Sequence, residues 1–283
     1  MRVRIWGCRG SVPTPGPETV RCGGNTSCIE ISLDDGSVFV LDAGTGIREL
    51  GAQLSVRGVR HINLLLTHLH LDHLEGLRFF APLFDSATTI DLWGPRSPVL
   101  TLEERIRRSF SPPLFPIDLQ DTPAQVTFHD VPNHPWRVDG ASLRATLVVH
   151  PGPTVGYRIE ADGSSVAYIP DHEPALTGDF TERTRDWISG GSIAEDVDLL
   201  FHDAQYFEHE YDERLGWGHS SVERAVAYAN AVGARRLILF HHDPTHSDEV
   251  MGRLEAEARA LDSEAVDPPV AAREGMVLEL SRR

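Results

Sequence analysis

Apolar positions fall in short runs along the chain, and the β-rich runs stop repeatedly at polar residues. Strands are predicted from Cys28 to Leu33, Ser37 to Leu41, His61 to Leu66, Leu143 to Val149, Val166 to Ile169 and Val197 to Phe201. The residues that follow them are Asp42-Ala-Gly-Thr-Gly, Thr67-His68, His150, Pro170-Asp171 and His202-Asp203. Helical periodicity is clearest from Ser221 to Val232, where Val222, Ala225, Val226 and Ala229 form one apolar stripe; Ser220 with Glu223 reads as a capping box and Gly233 as the stop. A second helix is predicted from about Asp248 to Leu261. Strands mixed with helices, with polar residues gathered at strand ends, imply an α/β architecture with its site along one edge of the sheets. No repeat, low-complexity segment or linker divides the chain, so residues 1–283 read as a single domain.

The segment from Leu100 to Thr122 has a different texture, a short basic helix followed by a proline-rich apolar loop. It reads as a surface connection whose phenylalanines dock on the core, with a lid as the alternative. Composition narrows the chemistry. The 41% hydrophobic and 24% charged residues are ordinary for a globular protein with a sizeable core. All 26 basic residues are arginine, which excludes a Schiff-base lysine, a pyridoxal phosphate anchor and the lysine of a phosphate-binding loop. Residues 1–150 carry 14 Arg against 16 acids and residues 151–283 carry 12 against 26, within a net charge of -16. Such a surface repels long polyanions. Cys8, Cys22 and Cys28 lack C-x-x-C spacing and read as buried free thiols. No apolar run approaches about 18 residues and the start lacks a signal-peptide core, so a cytoplasmic protein without a membrane partner is expected. The 14 histidines exceed what packing alone explains, since their chief special uses are metal ligation and proton transfer.

Thr67-His68-Leu69-His70-Leu71-Asp72-His73 places three imidazoles and a carboxylate within six residues, directly after an apolar strand. Imidazole with carboxylate suits zinc, manganese or iron, and no thiol is present to make a purely structural site. This H-x-H-x-D-H segment resembles the signature of the metallo-β-lactamase superfamily, whose fold is a four-layer αβ/βα sandwich with metals at the edge of its two sheets. The likeness extends over nearly the whole chain. It is strongest to the ribonuclease Z and cyclic-phosphodiesterase branch, through His150-Pro-Gly-Pro-Thr-Val-Gly, Tyr168-Ile-Pro-Asp171-His-Glu, Phe201-His-Asp-Ala-Gln-Tyr206, and His219-Ser-Ser with the helix and strand that lead to Leu237-Ile-Leu-Phe-His241.

The resemblance implies two divalent metal ions, zinc first with manganese or iron as alternatives. His68, His70 and His150 would hold one, Asp72, His73 and His241 the other, and Asp171 would bridge them; His242 is the alternative to His241. Two cations about 3.5 to 4 Å apart lower the pKa of a shared water and neutralise charge growing on phosphoryl oxygens. The implied activity is metal-dependent hydrolysis of a phosphodiester through a bridging hydroxide. Asp72, His219 and Asp203 are the candidate catalytic residues, with His219 as general acid and Asp203 either charging it or serving as a hydrogen-bonding residue at a strand end. Asp42 and Asn25 resemble family positions behind the metals and would orient the ligating histidines. His61, His129, His134, His209 and His246 show no ligand context, and His172 borders the site only by sequence.

Ribonuclease Z clamps transfer RNA precursors with a long arm inserted between the third histidine and the bridging aspartate. Here that interval, His150 to Asp171, is 21 residues, mostly a hairpin through Ala161-Asp-Gly-Ser. With the acidic second half, this favours a small cyclic or linear phosphodiester over long nucleic acid as the partner. Arg105, Arg107 and Arg108 read first as a solvated helix face, with phosphate guidance as the alternative. The rivals are a tRNA 3′-processing endonuclease, a thioester or lactone hydrolase, and a mononuclear iron oxidoreductase or binding module on the same fold. A homodimer is left open.

Overall fold

The computed structural model describes residues 1–174, 188–263 and 265–280. Two mixed seven-stranded sheets stack face to face. The first contains β1 (Arg2–Gly7), β2 (Cys28–Ser32), β3 (Val38–Leu41), β4 (His61–Leu65), β5 (Thr89–Gly94), β6 (Gln125–Asp130) and β14 (Val277–Glu279), in the order β14-β1-β2-β3-β4-β5-β6. The second contains β7 (Trp136–Val138), β8 (Ala141–Leu147), β9 (Val155–Ala161), β10 (Ser164–Ile169), β11 (Leu199–Asp203), β12 (Leu237–Phe240) and β13 (Val270–Ala271), in the order β13-β12-β11-β10-β9-β8-β7. In each sheet one half is antiparallel and the other parallel: β3 to β6 run parallel in the first, and β10 to β13 in the second.

The inner faces share one core, in which Ile5, Ile31, Phe39 and Leu65 of the first sheet meet Leu143, Tyr157, Tyr168, Phe201 and Phe240 of the second. Helices cover the outer faces. Helix α1 (Ile47–Val56) buries Ile47, Leu50 and Leu54 against Val40, Ile62 and Leu64. On the other side, α5 (Val222–Val232) and α6 (Asp248–Leu261) bury Val222, Ala225, Val226, Met251 and Leu254 against Leu200 and Leu239. The result is the four-layer αβ/βα sandwich. The shorter helices are α2 (Leu102–Arg107), α3 (Gly191–Ala194) and α4 (Glu208–Tyr211). No helix among the described residues is long and apolar enough to cross a membrane.

All six expected strands occur, with shifted ends. The one expected to run to Val149 stops at Leu147, because its antiparallel partner β9 begins at Val155, opposite Leu147. His150 is therefore presented by a turn. The Asp162-Gly163 pair closes the β9–β10 hairpin with positive φ at both residues (53° and 74°), which is the geometry this dipeptide favours. Helix α5 stops at Gly233, whose φ of 72° makes the left-handed cap. Its start differs from the expected box: Ser221, not Ser220, accepts from the Arg224 N–H. Ser220 is engaged elsewhere, its N–H donating to Asp203 and its hydroxyl to the His172 carbonyl. In the 100–122 segment Phe110 is buried in the core under α1, so this part docks on the body of the protein.

Candidate metal centre

The polar residues converge because parallel strands end on the same edge. Asp42 follows β3, the His68–His73 segment follows β4, Asp171 follows β10, Asp203 ends β11 and His241 follows β12. A crevice at the carboxyl ends of parallel strands is the usual ligand position in such sheets. A single 3₁₀ turn, Leu71–His73, closed by the His73 N–H to the His70 carbonyl, then turns Asp72 and His73 inward. Asp42 and His241 both adopt left-handed backbone, at φ 61° and 60°. For residues other than glycine this conformation is held only where the surroundings enforce it, and such residues cluster at functional sites.

Among the described residues two groups of donor atoms that share no residue have all their atoms within 4.8 Å of one another, His68, His70 and His150 in one and Asp72, His73, Asp171 and His241 in the other, and His219 completes two further such groups, with His150 and Asp171 and with Asp203 and His241. In the second group His241 Nε2 lies 3.1 Å from Asp72 Oδ2 and 3.2 Å from Asp171 Oδ2. His73 Nε2 lies 3.0 Å from Asp171 Oδ1 and 3.4 Å from His241 Nε2. In the first, His150 Nε2 is 3.2 Å from His70 Nδ1. Tetrahedral bonds of about 2.0–2.1 Å separate ligand atoms by about 3.3–3.4 Å, so these spacings suit one divalent cation per group. Asp171 stands between them, its Oδ2 3.8 Å from His68 Nε2 and 3.7 Å from His150 Nε2. Two buried atoms facing this space, His68 Nε2 and Asp171 Oδ1, make no hydrogen bond, and a metal would satisfy both.

The groups behind the donors set which nitrogen is free. Thr67 Oγ1 has one proton and gives it to Asp42, so it accepts from His68 Nδ1, 3.1 Å away, and leaves Nε2 as the donor. His73 Nδ1 donates to Asp42 at 2.8 Å, His150 Nδ1 to the Gly218 carbonyl at 2.8 Å, and His241 Nδ1 to Gln205 Oε1 at 2.9 Å. Asp42 is fully buried and also accepts from the Thr67 N–H and the Tyr168 hydroxyl. Burial holds His68, His70 and His150 below the usual histidine range, in the neutral form that ligates. Burial opposes charge on His73 as well, yet Asp171, Asp72 and Asp42 outweigh it and raise that group well above its usual range. Burial alone would raise Asp171, but His241 and His73 hold it well below the usual carboxylate range. This part of the pocket thus favours positive charge.

His219 is beside the donors, its ring stacked on His241 at 4.8 Å and edge-on to His150 at 5.0 Å. Its Nδ1 donates to Asp203 Oδ2 at 2.7 Å. Burial disfavours the charged imidazole, and Asp203 outweighs burial, pushing His219 up to about 9. Asp203 itself is fixed by N–H groups of His172, Gln205 and Ser220.

One expectation changes, and several alternatives close. Asn25 does not orient a histidine; its side chain donates to Glu274, at 3.0 Å, because its loop packs against the 274 turn. His242 faces away, its Nε2 bonded to the Ala272 carbonyl at 2.9 Å, since adjacent residues after β12 project to opposite sides. Arg107 is bidentate to Asp118 and Arg105 donates to the Pro95 carbonyl, so neither is a free phosphate guide. The His172 ring pairs with His202 at 2.9 Å, outside both donor groups. Cys8, Cys22 and Cys28 are free and buried, and burial raises all three thiols. Sequence reasoning missed Gln205, Thr67 and Tyr168 as supports. It also missed Ser11, whose N–H donates to Asp72 Oδ2 at 2.7 Å, and Gly10, against which the His241 ring packs. Thr67, Tyr168 and Gln205 stood inside the quoted motifs without a role assigned to them, whereas Gly10 and Ser11 lay outside all of them.

The model of the family described as the beta-lactamase superfamily domain matches residues 38–242. Ribonuclease Z of Mycobacterium bovis is 26% identical over 261 residues, covering 86% of this chain and 86% of that one. Among solved structures, the metallo-beta-lactamase fold protein YhfI from Bacillus subtilis superposes with a TM-score of 0.71 at 18% identity, over 99% of each chain. A diphosphatase from the PhnP family gives 0.68 at 20% identity, over 99% of this chain and 97% of that one. At these identities the two structures establish the fold.

Proposed function

The chain belongs to the beta-lactamase superfamily, in its ribonuclease Z-like branch, and from that premise we propose that this metal-dependent hydrolase is a phosphodiesterase acting on a small cyclic or linear phosphodiester. The observation that carries this is the meeting of two donor groups at Asp171 beside the His219–Asp203 pair. His68, His70 and His150 would hold one divalent cation and Asp72, His73 and His241 the other, with Asp171 shared; the imidazole and carboxylate donors favour zinc, with manganese or iron as alternatives. When bound, such ions supply Lewis acidity toward phosphoryl oxygens and a water that ionises near neutral pH.

The remaining work falls to side chains. Asp203 outweighs the burial of His219 and favours its charged form, and its Nδ1 is committed to that carboxylate. Nε2 is therefore the atom that passes a proton to the departing alkoxide. Asp42, Gln205 and the Gly218 carbonyl keep three ligating rings from turning. Two observations support a small substrate: the interval from His150 to Asp171 is occupied by the tight β9–β10 hairpin, and residues 151–283 carry 26 acids against 12 arginines.

A tRNA 3′-processing endonuclease is the second reading, favoured by the 26% identity to ribonuclease Z across 86% of both chains. Metal-quantified protein assayed on bis(p-nitrophenyl) phosphate, 2′,3′- and 3′,5′-cyclic nucleotides and a tRNA precursor separates the two. Chelator-sensitive turnover of the small diesters without precursor cleavage is expected. No chelator-sensitive diesterase activity on any of them overturns the phosphodiesterase assignment, and efficient precursor cleavage at the 3′ boundary replaces the small substrate with tRNA.

A further inference from the structure

At the end of β4 remote from the metal centre, side chains from four elements meet. His61 opens β4, Asp91 lies in β5 and His129 in β6, while Asp139 belongs to the β7–β8 turn of the second sheet. In sequence His61 and His129 show no ligand context, because their partners come from other strands. His61 Nε2 lies 2.9 Å from Asp139 Oδ2 and 3.6 Å from Asp91 Oδ2. The other oxygen of Asp91 accepts from His129 Nε2 at 2.6 Å, and the His129 ring is stacked on Trp93 at 4.2 Å, so this carboxylate is held beside His61. Asp139 and Gly140, with φ of 44° and 78°, make a two-residue hairpin turn, which fixes the second carboxylate.

Acceptors outnumber protons in this cluster. The Thr89 hydroxyl donates to the Arg60 carbonyl at 3.3 Å and so accepts from His61 Nδ1, 3.0 Å away. That leaves Nε2 of a neutral ring as a bare acceptor facing two carboxylates. A further acceptor adjoins them: Asn63 is fully buried, its side-chain N–H donates to Asp139 Oδ2 at 2.7 Å, and its Oδ1 makes no hydrogen bond. Among the described residues neither carboxylate has an arginine within ion-pair distance. Acceptors this close repel one another unless a proton or a cation lies between them. The spacings of 2.9 and 3.6 Å bracket the separation of about 3.3–3.4 Å between ligand atoms around a tetrahedral divalent ion.

We propose that His61, Asp91 and Asp139 form a further divalent-cation site, beside which Asn63 offers its amide oxygen as a fourth donor. Imidazole with carboxylates suits zinc or a similar transition ion better than calcium or magnesium. The ion would join β4 and β5 of the first sheet to the β7–β8 turn of the second. Its donors are looser than those of the metal centre, and the His61 and Asp139 side chains are 44% and 34% exposed, so the site fills at higher free metal than the buried centre. It stands apart from the reaction at that centre.

The test is a zinc titration of the metal-loaded protein past saturation of the centre, read as bound metal per chain by mass spectrometry at defined free zinc. Wild type should take up one equivalent beyond those of the centre, and His61→Ala should not. Asp139→Asn, which keeps the turn and removes the charge, should weaken the added equivalent at least about ten-fold; this arm decides if the alanine variant fails to fold. Asp171→Ala, which damages the centre, should retain the added equivalent, so loss of one site is told apart from loss of the other. No added equivalent in the wild type means that a second proton on His61, and not a metal, lies between the carboxylates, and it overturns the site. An added equivalent of wild-type affinity in both His61→Ala and Asp139→Asn, or one that disappears in Asp171→Ala, places the ion elsewhere and overturns it as well.

Discussion

Replacing Gly10 by alanine tests the metal centre through a residue that ligates nothing. A Cβ built on Gly10 falls 2.3 Å from His241 Nδ1, 2.4 Å from Cε1 and 2.9 Å from Cγ. Neither partner yields easily. The Gly10 N–H donates to the His242 carbonyl and the His242 N–H to the Cys8 carbonyl, so the two backbones are laced together. The His241 ring is bonded to Gln205 and stacked against His219 on one side and His73 on the other, at 4.8 and 5.4 Å. Ordinary van der Waals contact begins at 3.4 Å, so the ring must retreat by about 1 Å. Metal–ligand distances tolerate about 0.2 Å, which makes that retreat enough to uncouple His241 from a cation shared with Asp72 and His73. The expected cost is on the order of 10²-fold in affinity for the second cation, with a comparable loss of turnover from the misplaced centre. Overpacking of this kind costs about 1–3 kcal/mol of stability, so the fold should persist. Metal stoichiometry by mass spectrometry after dialysis at fixed free zinc, together with a zinc titration, reads the effect. Two equivalents bound with wild-type affinity and turnover would refute the placement of His241.

Asp42→Asn presents an amide N–H₂ to groups that are all donors, so metal affinity should fall about 10–100-fold and stability by about 1–3 kcal/mol, measured by zinc titration and urea unfolding; unchanged affinity removes Asp42 from its orienting role. Asp171→Ala should lose one metal equivalent and nearly all turnover, whereas His219→Ala should keep both metals and lose mainly rate, most for poor leaving groups; equal metal loss in both would make His219 a ligand. In chelator-treated protein His219 titrates near 9 when folded against about 6.5 when unfolded, so its contribution, about 3 kcal/mol, is complete below pH 6.5 and is lost as pH rises through about 9. The stability difference between wild type and His219→Gln in urea should therefore shrink between pH 6 and pH 9.5, and a constant difference would contradict the Asp203 pairing.

Features legible in the chain are those whose partners are near in sequence. Three histidines and an aspartate from His68 to His73 sit on one strand-to-turn segment, so their convergence needs only β4 and a 3₁₀ turn. The α5 stripe and its Gly233 stop, and the Asp162-Gly163 hairpin, are likewise settled by local backbone preference. A one-residue displacement was enough to defeat the cap assignment, because Ser220 and Ser221 are equivalent as local signals and only Asp203 and His172, from other strands, claim Ser220. Asn25 failed for the same reason: its loop could face either the metals or the 274 turn, and Glu274 took it.

By itself, then, the sequence determined the α/β class, the metal-donor chemistry and the exclusion of lysine-dependent mechanisms, all of which follow from residue types and short spacings. The tertiary structure alone decided that His241 rather than His242 reaches Asp72, 169 positions earlier in the chain, that Gln205 and Tyr168 hold the rings in register, and that an exposed tryptophan borders His219. These depend on two sheets closing on a common core, and no local preference specifies which loops then meet at the shared edge.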